Sequence, residues 1–245
     1  MSSRILQKQF QGYKNEDPPE KQQRAVPLSV IRRLNDVAKT ELEKAIAILD
    51  AGAIYFAMRS CEYLSVPDAK NKRTKLLCIR NFRFFKNNRE INIKSKNIAN
   101  ADCVAITFEF QKNDERNETV TQEWTDDPLL CPVKSWANTI NRILSYPKTL
   151  SGSSINTFRL KRRMYFISSS ENMKLLQRTV SSMDKISLGF EPDKIGTHSI
   201  LSGGAMAIKL SGAEDSKIRL IGRWKSNSFM KYIRKQILQF SSKIS

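Results

Sequence analysis

The sequence predicts an α+β fold, mostly α with a small antiparallel β-sheet. Two observations carry that prediction. Apolar residues recur at one-turn intervals near both ends of the chain, the pattern of helices that bury one face. Between them Val104, Ile106, Phe108 and Phe110 alternate with Cys103, Ala105, Thr107 and Glu109, the period of a strand with one buried face. The chain has 245 residues, 40% of them apolar, enough for a substantial core.

Residues 1 to 24 are polar and include Pro18 and Pro19, which reads as a linker or tail. Order is expected from near Pro27. Val30, Ile31, Leu34 and Val37 give Leu28 to Lys39 helical spacing. Thr40 and Glu43 match a capping box that opens a second helix, with Leu42, Ile46 and Leu49 one turn apart, running to about Phe56. A further helical turn over Arg59 to Leu64 ends at Pro67. Leu76 to Ile79 and Phe82 to Phe85 are short, mostly apolar runs, and Lys86 to Arg89 make a polar turn before Ile91 and Ile93. After the alternating segment, Gln111 to Asn117 reads as a hairpin loop, and Glu118 to Trp124 as the returning strand. The rest is expected to be helical. Pro132 starts a helix with Val133, Trp136, Ile140 and Ile143 inward. Ser170 can cap one carrying Met173, Leu176 and Val180. Thr197 to Leu210, Ala213 to Ile221 and Asn227 to Phe240 follow, with Gly212 between the first two.

Charge separates this chain from an ordinary soluble domain. Lys and Arg total 42 against 24 Asp and Glu, a formal charge of +18. A folded domain this basic repels itself until a polyanion neutralises it, and nucleic-acid phosphates are the first candidate. The basic residues are densest over Lys70 to Lys75, Arg80 to Lys96, Arg159 to Arg163 and Lys217 to Lys235. They are interleaved with aromatic and aliphatic residues, as on the basic face of a folded surface rather than in a disordered tail. Cys61, Cys78, Cys103 and Cys131 have no metal-ligand spacing and His198 is the sole histidine, so no metal site is expected. The cysteines read as free thiols of a reducing compartment. Neither a membrane-spanning apolar run nor the core of a signal peptide is present, which predicts nucleus or cytoplasm.

Five short segments hold residues suited to phosphate chemistry. Arg59 follows an apolar helix, with Glu62 one turn on to orient it, in Ala57-Met58-Arg59-Ser60-Cys61-Glu62-Tyr63-Leu64. Lys112 stands at the end of the alternating strand. His198 lies in Gly196-Thr197-His198-Ser199, Trp224 in Gly222-Arg223-Trp224, and Tyr232 in Tyr232-Ile233-Arg234. Singly each has an ordinary structural reading: a surface arginine, a satisfied polar histidine, a core tyrosine. Together and in this order, with Leu130-Cys131-Pro132-Val133 between them, they resemble the signatures of tyrosine recombinases, the phage-integrase class. The resemblance is strongest to those of eukaryotic mobile elements of the Crypton and DIRS type, and runs from about Ala25 to Phe240.

The resemblance implies a catalytic domain over 25 to 245 that breaks and rejoins DNA through a phosphotyrosine intermediate. It matches Arg59 to the first catalytic arginine, Glu62 to its acidic neighbour and Lys112 to the hairpin lysine that serves as general acid. Asn113 and Asp114 then lie in the turn after it. His198 matches the histidine of the His-x-x-Arg motif, Trp224 the later His/Trp position, and Tyr232 the nucleophile. It also implies double-stranded DNA as partner and assembly as a tetramer on it, the C-terminal helix reaching a neighbouring subunit. The chemistry suits those groups. Attack by a tyrosine divides one hard step into two reversible ones and conserves the bond energy, so no cofactor is called for. Guanidinium forks suit the charge that builds on the non-bridging oxygens. Lysine or histidine can move the protons.

Two departures stand out. The position of the second arginine is Leu201, whose hydrocarbon can neither donate a hydrogen bond nor carry charge. Losing one preorganised donor to a developing oxyanion costs roughly 3–4 kcal/mol, or ~10²–10³ in rate. Cleavage is therefore expected to be very slow or absent. Arg219 and Arg223 are near in sequence, but Arg223 directly precedes Trp224 and is expected to have another role. Secondly, residues 1 to 24 are too few for the helical core-binding domain that usually closes a clamp around DNA in this class. The alternative to a recombinase is a non-catalytic basic nucleic-acid-binding protein derived from the same fold.

Overall fold

The computed structural model of the protein describes residues 23–66, 74–110 and 116–230, together with 233 and 236. The first helices follow the sequence pattern. Helix α1 (Leu28–Val37) buries Val30, Ile31 and Leu34. Helix α2 (Glu41–Ala53) begins at the expected capping box: Thr40 accepts from the Glu43 amide, and the Glu43 carboxylate accepts from the Thr40 amide. It tightens into a 3₁₀ turn, Ile54–Phe56, and ends at Ala57 in the left-handed region with φ 41°. The short helix α3 (Ser60–Tyr63) follows at once, with Arg59 at its N-cap.

The sheet is antiparallel, in the order β2-β1-β3-β4. Its strands are β1 (Phe82–Lys86), β2 (Arg89–Ile91), β3 (Cys103–Phe108) and β4 (Glu118–Glu123). Asn87 and Asn88, both at positive φ, make the turn between β1 and β2. The alternation that predicts β3 holds: Val104, Ile106 and Phe108 are buried, and Ile106 pairs with Val120 across the sheet. The strand stops at Phe108, two residues earlier than the pattern suggests.

Helix α4 (Pro132–Leu144), with Pro132 in its first turn, runs against α2 and the sheet. Trp136 is the hinge of that contact. Its ring lies 4.9 Å from Phe82 and 6.4 Å from Phe56, centroid to centroid, so it joins strand, 3₁₀ turn and helix. The chain from here is not all helical, contrary to the pattern reading. Strands β5 (Thr157–Leu160) and β6 (Arg163–Phe166) form a second, separate hairpin. The turn signal is absent because Lys161 and Arg162 occupy the two positive-φ positions where Asn-Gly is usual.

Helix α5 (Ser169–Ser181) is capped two residues before the expected Ser170. Ser168 accepts from the Glu171 amide and Glu171 returns to the Ser168 amide. Ser170 sits inside the helix, because the reciprocal carboxylate at the third helical position selects Ser168. After α6 (Lys185–Leu188) come α7 (Ser199–Leu210) and α8 (Asp215–Gly222), starting two residues later than expected in both cases, and a 3₁₀ turn, Asn227–Phe229. Gly203 and Gly204 let α7 dock on backbone: a Cβ at either would stand 2.2 Å from a carbonyl oxygen, that of Val26 or of Ile54. This seats α7 on the turn that leads into Arg59.

The main core spans α1 to α6 and the sheet and takes in Ile200 of α7 and Ile221 of α8, while Ala25, Ala205, Met206, Ile218, Phe229 and Ile233 form a smaller one. Gln236 clasps this end to the start of the fold, accepting from the Ala25 amide and donating to its carbonyl. Gln23 and Arg24, at the end of the expected tail, already bond to the body. All four cysteines are free thiols; Cys131 is buried and the others are partly exposed. No helix among the described residues is long and apolar enough to cross a membrane.

Candidate active site

The site is built around one buried carboxylate. Ala57 turns the chain through the left-handed region, and Arg59 adopts extended backbone at the start of α3. This places Glu62, at the third position of the helix, back over Arg59. Its Oε2 accepts from the Arg59 amide at 2.8 Å and its Oε1 from Arg59 Nη1 at 3.0 Å. Glu62 is 1% exposed. A single carboxylate thus caps the helix and fixes the arginine.

Glu62 holds a second guanidinium. Arg223 Nη2 donates to Oε2 at 2.7 Å, although the two residues are 161 positions apart. Arg223 Nη1 donates to the carbonyls of Phe56 and Ile221, at 2.9 and 3.0 Å. Its guanidinium carbon stands 3.7 Å from the centroid of Phe108. The side chain is fully buried, and that burial pulls its pKa below the usual arginine value, against the pull of Glu62 in the other direction. Arg223 therefore ties α8 to α3, the 3₁₀ turn and β3. The expectation that it has a role other than replacing residue 201 agrees with this placement.

The geometry around Arg223 explains the Gly-Arg-Trp sequence. Arg223 caps α8 with φ 57°, and the Trp224 amide returns to the Arg219 carbonyl. The indole folds back across the helix end so closely that a Cβ on residue 222 would lie 1.7 Å from it. Trp224 then packs against Phe229, 5.6 Å between centroids, at the edge of the smaller core. Gly222 makes room, Arg223 anchors, and Trp224 closes the end of the helix.

Two guanidinium groups share the Glu62 carboxylate, and the charge of Glu118 also acts on Arg223. Arg223 is sealed in, whereas 12% of the Arg59 side chain reaches the surface. Among the described residues Arg59 Nε and Nη2 make no hydrogen bond, so these donors can receive an anion. His198 is exposed at the N-cap of α7; its amide donates to Gln23 Oε1 at 2.8 Å, and its ring Nδ1 lies 3.3 Å from Thr197 Oγ1. Leu201, one turn further along α7, is 2% exposed. Lys112, with Asn113 and Asp114, and Tyr232 lie outside the described residues. The structure thus joins Arg59, Glu62 and the Gly222–Trp224 segment at one place. It puts His198 and Leu201 on the helix seated against the turn before Arg59.

Arg223 as the second partner of Glu62 is the residue that sequence reasoning leaves out. Its signal is faint, a charged residue directly before an aromatic at a helix end. A buried polar group behind the site is also invisible in the sequence. Asp50 of α2 accepts from the Tyr63 hydroxyl of α3 at 2.8 Å and from Asn172 Nδ2 of α5 at 2.6 Å. Its other oxygen, Oδ2, has no partner among the described residues, and burial raises its pKa to about 7.

No family model and no curated protein matches the chain. Among solved structures it is similar to the Tn1549 transposon integrase in complex with transposon right-end DNA. The TM-score is 0.48 and the identity 9%, over 88% of this chain and 62% of that one. It is also similar to the same integrase in complex with circular intermediate DNA, with a TM-score of 0.45 and 10% identity over the same shares. The chain spans less than two thirds of the length of these integrase chains.

Proposed function

We propose that this chain is a DNA-binding domain of the tyrosine-recombinase kind, with its strand-cleavage chemistry impaired at Leu201. One observation carries the reading: two distant recombinase-like motifs, around Arg59 and around Arg223-Trp224, meet on the Glu62 carboxylate. In this reading the open donors of Arg59 hold the non-bridging oxygens of a phosphodiester, and Glu62 fixes their direction. Lys112 protonates the departing 5′ oxygen, His198 moves the second proton, and Trp224 braces the helix end that leads to Tyr232. The Tyr232 phenol attacks phosphorus, giving a phosphotyrosine that a strand end can later reverse. The domain covers 25 to 245, its partner is double-stranded DNA, and it works as a tetramer on that DNA.

Leu201 supports the impairment. A buried hydrocarbon offers no hydrogen bond to the charge developing on the phosphate, a loss of ~10²–10³ in rate for a single donor. The measurement is covalent trapping on a nicked suicide duplex, using the wild type, Leu201→Arg and Tyr232→Phe. We expect little or no adduct from the wild type, more from Leu201→Arg, and none from either background once Tyr232 is Phe. Wild-type trapping as fast as that of Leu201→Arg refutes the impairment. A second reading, a non-catalytic nucleic-acid binder on the same fold, is favoured by the same buried leucine. It predicts no adduct from any variant and DNA binding untouched by Tyr232→Phe.

A further inference from the structure

The β5–β6 hairpin lies outside the site described above. Its root is anchored: Phe158 and Tyr165 pair across the strands, 5.4 Å between centroids, and the Arg142 guanidinium of α4 sits 5.5 Å over Phe158 while donating to the Thr157 carbonyl. Beyond that pair the two strands leave the body. Arg159, Leu160, Lys161, Arg162, Arg163 and Met164 are all exposed, on both faces of the ribbon and at its tip. Leu160 is 51% exposed and Phe166, on the opposite face, 58%.

Two features set this ribbon apart from an ordinary surface hairpin. Four of the six projecting residues are cations, and no acidic residue occurs in the sequence between Asp127 and Glu171. None of the four makes a salt bridge among the described residues. The turn itself is also built against local preference. Lys161 and Arg162 adopt φ 45° and 69°, a type I′ geometry that Asn-Gly fills without strain. Holding two side chains with a Cβ in the left-handed region strains the backbone at both positions. Observed backbone strain of this kind points to a use for the side chains that cause it.

We infer that the β5–β6 ribbon is a second DNA-contacting element, which inserts into a groove of the duplex and grips the phosphates on either side with Arg159, Lys161, Arg162 and Arg163. The dimensions fit: the major groove admits a two-stranded ribbon. Cations on both strands and at the tip meet phosphates on both walls, and the exposed Leu160 and Met164 present apolar surface to base edges and thymine methyls. This inference rests on the reading of the protein as a DNA binder and adds where on the molecule that binding is held.

The turn supplies its own test. Lys161→Asn with Arg162→Gly removes two charges while giving the turn its preferred residues, so the hairpin is kept and its thermal stability is expected to rise. Binding to a fluorescent 30-base-pair duplex is followed across salt concentrations. Each phosphate contact contributes about 0.9 to the slope of log K against log salt. The double variant is expected to lower that slope by about two and to weaken binding about tenfold at moderate salt. As control, Lys185→Gln with Lys194→Gln removes equal charge from lysines already paired with Glu191 and Asp193; its slope is expected to stay near wild type. A wild-type slope in the hairpin variant, or an equal fall in the control, overturns the ribbon assignment while leaving DNA binding in place. A change confined to self-association overturns it too. If the wild-type chain binds no duplex at all, the DNA-binding reading falls and the ribbon falls with it.

Discussion

Arg223 shows how much of this site depends on a charge that never meets solvent. Its guanidinium serves Glu62, two carbonyls and the face of Phe108 at once, a set that only a planar fork with several donors can reach. Removing one partner of a buried ion pair leaves the other desolvated and unpaired, at a cost of about 3–5 kcal/mol. Arg223→Met is therefore expected to lose that much in urea unfolding, and to loosen Arg59, since Glu62 loses its second tether. Arg223→Lys keeps the charge but cannot span the same acceptors, and leaving one buried carbonyl unpaired costs about 1–3 kcal/mol. A lysine variant as stable as wild type would mean that the fork geometry is irrelevant. Arg59 and Glu62 were legible in the sequence, because they lie three apart after an apolar helix. Their link to Arg223 was not, because no periodicity connects residues so far apart.

At the scale of the element, helix α3 is pinned from two sides. Glu62 faces the candidate site and Tyr63 faces Asp50, which also receives Asn172 from α5. Asp50 is fully buried and its pKa rises to about 7 from 3.8, chiefly through burial, with the two hydrogen bonds opposing. Here the folded state favours the protonated form. The contribution is thus complete below pH 4 and is lost as pH rises through about 7, because the unfolded chain gives up the proton more readily. Glu43 runs the other way: its hydrogen bond from Arg178 lowers it to about 2, so its contribution is present above pH 4.5 and is lost as pH falls toward 2. The two windows barely overlap. Asp50→Asn keeps an acceptor for Tyr63 and Asn172 and removes the titration, so it is expected to flatten unfolding free energy between pH 4 and 7, by a few kcal/mol at most. Denaturant titrations at a series of pH values measure it, and an unchanged slope in the variant would assign the titration elsewhere. Elements with reinforcing signals were legible: the Thr40–Glu43 capping box, Pro132 at a helix start, the alternation of β3. The β5–β6 hairpin was not, because its turn residues are cations where small or amide residues normally advertise the turn.

Across the whole molecule, the two cores solve a geometric problem that the sequence states only as composition. The main core binds α1 to α6 to the sheet through Trp136, and the smaller one closes α7 and α8 against residues 25 and 233. That arrangement gathers the elements around the Arg59 turn, and under the proposed function the +18 charge of the chain is what an external polyanion would meet. If that polyanion is duplex DNA held mainly by its phosphates, counterion release dominates the free energy. Six or more phosphate contacts give a slope of log K against log salt of about −5 or steeper, and affinity falls by at least ~10³ between 50 and 200 mM salt. Because phosphate contacts carry no sequence information, duplexes of unrelated sequence are expected to bind within about tenfold of one another at a fixed salt concentration. Fluorescence anisotropy with two unrelated duplexes at four salt concentrations measures both quantities. A slope shallower than about −2 would mean that the basic surface is not what holds DNA. Strong discrimination between the duplexes with a steep slope would instead place base-reading side chains at the interface, and the exposed apolar residues of the β5–β6 ribbon would be the first to substitute.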